Sequence, residues 1–274
     1  MLIIHFDGET TMHRLKTLLL LLLLLGGIGR ALQIDPFPRN GTLTDIFNTN
    51  CLQMTQSQQM LKAYIMKGLG SNFDNPAENL KRAIPAYDRR FTQIREYFQK
   101  RLGDHPEAIE AFDKAQEIWN RSKKILEAPP TKEGALQLKK NFSEMIPLLL
   151  QGSKPAANGG LELLSLTGKL CRGPMKISID YLLRLWGAPI PDYEADIQSI
   201  IDNFHENLKE LEANKLNNAH TRKLLEKARK GFIFYEMMYN SKTRFIPNLL
   251  SRKADDNFKI IRAIKAEYKK QLAK

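Results

Sequence analysis

The chain has 274 residues with 42 Lys and Arg against 30 Asp and Glu, a formal net charge of +12, and two cysteines. The positive sign suits an anionic partner. The cations lie along helix faces beside acids, as in Arg222 to Lys230, with no aromatic residues alternating among them, so nucleic acid is excluded as the expected partner.

The first feature in chain order is a basic patch at His13, Arg14 and Lys16, followed by the unbroken apolar run Leu18 to Leu25 and small residues at Gly29 and Ala31. This is the layout of a secretory signal peptide over 1–31. The apolar stretch Leu18 to Ile28 is 11 residues long, short of the roughly 20 that a spanning helix needs. Cleavage is therefore expected, giving a periplasmic or secreted protein; the alternative is an uncleaved anchor in the inner membrane. Met12 would make a more ordinary start than Met1, with 1–11 as an upstream extension.

From Leu32 onward the apolar residues recur at steps of three and four, which predicts helices throughout. Helix one carries Leu43, Ile46, Phe47, Met54, Leu61 and Tyr64 and reaches Gly68. Helix two opens at Asn75-Pro76, where proline suits a first turn, and runs to Gly103. Helix three follows Pro106 and breaks at Pro129-Pro130. Helix four spans Thr131 to Gln151, and Gly152 to Gly160 reads as the internal linker. Helices five to eight are expected over Leu161 to Trp186, Tyr193 to Ala213, Asn218 to Tyr239 and Arg244 to Leu272, with Gly173-Pro174 interrupting the fifth. No stretch alternates as a strand would, so the fold class is an all-α helical bundle.

The chain also resembles itself. Tyr64-Ile-Met-Lys-Gly-Leu-Gly70 aligns with Tyr181-Leu-Leu-Arg-Leu-Trp-Gly187 at an offset of 117 residues, and the same offset pairs Leu80 with Ile197, Ile84 with Ile201 and Tyr87 with Phe204. Two related four-helix repeats, 32–152 and 160–274, follow from this register.

At these residues the chain resembles the PilJ/NarX-type sensor domain, the periplasmic helical module of type IV pilus chemotaxis transducers and nitrate sensor kinases. Ser57-Gln-Gln-Met-Leu-Lys-Ala-Tyr64 is similar to the second half of that family's first-helix motif, Thr167-Gly-Lys-Leu170 to its opening and Tyr181 to Gly187 to its end. The resemblance implies a sensory input module that binds a small ligand between neighbouring motif helices and acts through a membrane-bound signalling partner, with no output domain of its own. Where the nitrate sensors place an arginine, this chain has Met54 and Cys171, neither of which offers a planar fork of donors to an oxyanion. The resemblance also implies that helices one and five pack side by side, which would bring Cys51 near Cys171. A disulfide between them and two buried free thiols are both open.

Candidate ligand-binding residues are Lys169, Arg172 and Lys176 on helix five, as an anion-binding patch, and Gln53, Gln58 and Gln59 on helix one as neutral donors. Their alternative role is ordinary helix surface. No Walker loop, dinucleotide fingerprint or nucleophile elbow is present, and the histidines have no ligand-like spacing. The expectation is a binding protein without catalysis, cofactor or metal. A structural helical adaptor of the bacterial envelope is the second reading.

Overall fold

The computed structural model describes residues 32, 37–38, 41–101, 104–156, 161–241 and 246–272. The expected signal peptide, the end of helix two at Gly103, part of the linker (157–160) and the start of helix eight at Arg244 lie outside the described residues.

Among the described residues eight α-helices follow one another: α1 Leu43–Gly68, α2 Pro76–Arg101, α3 Pro106–Glu127, α4 Lys132–Ser153, α5 Leu161–Leu185, α6 Tyr193–Glu212, α7 Ala219–Ser241 and α8 Pro247–Leu272. A 3₁₀ turn at Lys154–Ala156 follows α4. The described residues contain no strand, as the hydrophobic period required. Local chemistry sets the ends. Thr42 opens α1 with a capping box, its hydroxyl accepting from the Asp45 N–H and the Asp45 carboxylate accepting from the Thr42 N–H at 2.8 Å. Thr131 caps α4 by accepting from the Gly134 N–H at 2.9 Å.

The two halves repeat each other in backbone detail. After α1, the Ser71 N–H donates to the Met66 carbonyl and the Gly70 N–H to Lys67; after α5, Ala188 donates to Leu183 and Gly187 to Arg184. Both are Schellman endings, and their glycines sit at φ 70° and 77°. The next helix in each half is entered through a left-handed residue at the corresponding position, Asn75 (φ 47°) and Asp192 (φ 57°). Leu80, Ile84 and Tyr87 are buried, as are Ile197, Ile201 and Phe204.

Packing follows the same pattern. α1 lies against α2 and α4, and α5 against α6 and α8, while α3 pairs with α4 and α7 with α8. The two four-helix sets meet where α1 packs along α5, and residues 32–274 form one compact unit. α1 is consequently enclosed on nearly every face: Ile46, Met54, Met60, Leu61 and Ile65 are buried, and so are Asn50, Gln53, Gln56, Ser57, Gln58 and Gln59. Three ion pairs among the described residues cross between the sets, one of them joining Lys269 of α8 to Asp45 of α1. Lys62 of α1 holds Asp255 of α8 at 2.7 Å, and Lys139 of α4 holds Asp180 of α5 at 2.6 Å. At the far end of the seam the Trp186 ring fills the space that a side chain at Gly68 would need.

One expectation about α5 is corrected. Gly173-Pro174 does not interrupt it; the helix runs unbroken through Pro174. A proline costs a helix one internal hydrogen bond, and here Leu166 and Leu170 before it and Met175 and Ile177 after it keep the segment buried in the core. The Ser178 hydroxyl donates to the Pro174 carbonyl at 2.8 Å, adding a contact in the same turn.

Candidate functional site

α5 carries Lys169, Arg172 and Lys176 at steps of three and four residues, so they form one stripe along the helix. The stripe faces α6. Together with Asn203 and Asn207 of α6, Gly173, Ile200 and Phe204, these three cations line a pocket of about 260 Å3 with no carboxylate in its wall. Asn203 turns its amide onto the Ser199 carbonyl at 2.6 Å, within its own helix. Lys169 and Lys176 are exposed at the rim, and Arg172 is only 9 % exposed.

Arg172 also reaches inward. Its Nη1 lies 3.9 Å from the Met54 sulfur on α1, across the seam between the halves. Gly168 lies beside it, where a Cβ would meet Nη1 at 3.4 Å and the Cys51 Cβ at 3.9 Å, both ordinary contact distances. Lys265 of α8 enters the same region from the other side. It is buried, and among the described residues its ammonium has no oxygen or nitrogen partner; the groups acting on it are the thiols of Cys51 and Cys171 and the Arg172 guanidinium. Two cations are thus buried together beside two thiols. Burial pulls the pKa values of Lys265 and Arg172 down from their ordinary positions. Lys176 is also lowered, by lost hydration in the groove and then by Arg172.

Both cysteines are buried free thiols, so the bridge left open between them is absent here. Burial pushes Cys171 up to about 12, which keeps it a thiol, whereas disulfide chemistry runs through the thiolate.

The glutamines fall elsewhere. Gln53 accepts from Arg90 Nε at 2.8 Å, and Arg90 also donates to Gln56, so the Gln53 oxygen holds a buried arginine; its amide nitrogen is buried with no hydrogen-bond partner among the described residues, and Gln53 lines neither the cationic pocket nor the one beside it. Gln59 is buried within α1 and lies in neither the cationic pocket nor the one beside it. Gln58 borders a second pocket beside the cationic one, and its side-chain oxygen is buried with no hydrogen-bond partner among the described residues. The structure therefore brings Lys169, Arg172 and Lys176 together and separates them from Gln53 and Gln59.

No protein-family model, curated protein or solved structure matches the chain.

Lys265, Asn203 and Asn207 escaped the sequence reading. A signal for Lys265 existed: it follows Phe258 and Ile261 and precedes Tyr268 at steps of three and four, a lysine inside an apolar stripe. Asn203 and Asn207 gave none, being polar residues on the polar face of an amphipathic helix. Tyr64 is a core residue with a satisfied hydroxyl, accepting from the Thr131 N–H at 3.1 Å at the entry to α4.

Proposed function

We propose that this chain is an exported ligand-binding module of the PilJ/NarX sensor kind, that it binds a small oxyanion in the groove between α5 and α6, and that it acts on a membrane-bound signalling partner. The observation that carries the reading is the concentration of positive charge without carboxylates at Lys169, Arg172 and Lys176. Like charges gathered in a water-poor groove repel one another, and an anion relieves that repulsion while taking charge-assisted hydrogen bonds from the guanidinium. Arg172 gives the site its reach. It lines the pocket and touches Met54 of α1, so occupancy changes the charge balance at the seam where the halves meet. That coupling is a means of signalling; it asks for no bond-making by the protein.

The test is a thermal-stability screen of the purified chain at fixed ionic strength against nitrate, nitrite, sulfate and phosphate, with chloride as control. A ligand bound only by the folded state raises the melting temperature in proportion to the logarithm of its concentration. At least one oxyanion should do so, and Arg172→Gln should remove the effect. Equal melting in all salts would refute the site.

One observation favours the second reading, an envelope adaptor. Ile233 and Met237, one turn apart on α7, are 44 % and 63 % exposed, and Ile246 just before α8 is 64 % exposed. Exposed apolar groups of this size are material for a protein contact. A stable complex recovered in the absence of any oxyanion would favour that role.

A further inference from the structure

The second pocket lies between α1, α4, α5 and α6, occupies about 290 Å3 and shares Lys176, Ile200 and Asn203 with the cationic one. Its wall is built differently. Two lysines, Lys139 and Lys176, are matched by two aspartates, Asp180 and Asp196, and Leu61, Phe142 and Ile179 supply apolar surface. A plain anion meets the two carboxylates there, and a plain cation the two ammonium groups. A ligand carrying both charges a few bonds apart can satisfy both.

Gln58 sharpens the choice. Its oxygen is an acceptor only, it is buried without a partner among the described residues, and Gln58 lines this pocket. A buried acceptor left unpaired keeps its full desolvation penalty, which a donor on a ligand removes. Asp180 is 3 % exposed, held by Lys139, and fixed on a helix whose neighbouring residues are core. The volume is at the small end of the roughly 300–1,000 Å3 usual for ligand pockets, which fits a small metabolite and not an extended peptide.

We propose that this pocket binds a small zwitterion, an α-amino acid with an apolar side chain. Its ammonium takes the Gln58 oxygen and the carboxylates of Asp180 and Asp196. Its carboxylate lies toward Lys176 and Lys139, and its side chain packs against Leu61, Phe142 and Ile179. The Lys139–Asp180 ion pair opens to admit the two charged groups of the ligand and is replaced by two pairs. This site adjoins the oxyanion pocket and shares Lys176 with it, but uses neither Lys169 nor Arg172.

The test uses the whole chain and three probes that share the isobutyl group: L-leucine, isovalerate, which has only the carboxylate, and isoamylamine, which has only the ammonium. Calorimetric titration and thermal melting should show L-leucine binding and both half-ligands at least about tenfold weaker, the loss expected when one charged contact is removed. Asp196→Asn, at an exposed position that does not endanger folding, should weaken L-leucine by a similar factor; Asp180→Asn should abolish it. Both variants should keep any nitrate response of the neighbouring pocket, whereas Arg172→Gln should leave L-leucine binding in place. Absence of binding by L-leucine, L-alanine and glycine would overturn the proposal. So would isovalerate binding as tightly as L-leucine, or L-leucine affinity unchanged in Asp196→Asn and Asp180→Asn alike.

Discussion

Lys265 shows what a single misplaced charge does to a folded chain. An ammonium in the interior gives up its hydration, and here the thiols of Cys51 and Cys171 favour it while the Arg172 guanidinium opposes it. Replacing such a group by an apolar side chain of similar length stabilises proteins in many cases, by about 1–4 kcal/mol for buried charges. Lys265→Met should therefore raise the midpoint of urea unfolding at neutral pH. The pH dependence follows from the sign. The folded pKa of Lys265 is depressed below its ordinary 10.5, so in the interval between those two values the unfolded chain binds more protons and stability rises with pH. The raised pKa values of Cys171, Tyr87 and Tyr235 act in the opposite direction over the same range, so the Lys265 contribution should appear as a difference: approaching pH 10.5 the urea midpoint of the parent chain should gain on that of Lys265→Met. Tyr64 is a gentler case. Tyr64→Phe deletes the acceptor of the Thr131 N–H and should cost about 1 kcal/mol, measured in the same way.

The helices end where their residues dictate, and matched positions allow a matched experiment. Gly70 and Gly187 both take left-handed backbone at Schellman endings. A Cβ on Gly70 meets nothing within 4 Å, and one on Gly187 meets only the flexible tip of Lys132 at 3.3 Å. Alanine at either site should lower stability by about 1–2 kcal/mol through backbone strain, and by nearly the same amount at both. Unequal losses in equilibrium unfolding would show that one half leans on its ending more than the other. Pro85 offers the opposite sign. It lies inside α2 with an exposed side chain, so Pro85→Ala restores a backbone donor without opening a core cavity and should stabilise by up to about 3 kcal/mol.

Taken as one object, the chain is two helical sets joined along α1 and α5, and the seam decides how they unfold. Lys62–Asp255, Lys139–Asp180 and Trp186 over Gly68 all cross it. Trp119 is buried in the first set and Trp186 stands at the seam, so Trp119→Phe and Trp186→Phe variants leave one reporter each. Their fluorescence transitions in urea should share a midpoint once each variant's own stability is allowed for, as expected when two halves bury a common core; separated transitions would mean that the seam is weak. Much of this was legible beforehand. The period of 3.6, the prolines at Pro76 and Pro106, the glycines and the 117-residue register led to the helices and their pairing, because those signals act over a turn or two of chain. The stripe of cations was legible too, since Lys169, Arg172 and Lys176 share a face of one helix. What the chain could not disclose was which groups meet from different helices: that Gln53 is consumed by Arg90, that Lys265 comes to rest beside Cys51 and Arg172, and that Asn203 and Asp196 of α6 close pockets begun by α5. Helix period and capping are short-range properties written into neighbouring residues. Contacts across the seam depend on how whole helices pack, and only the folded chain decides them.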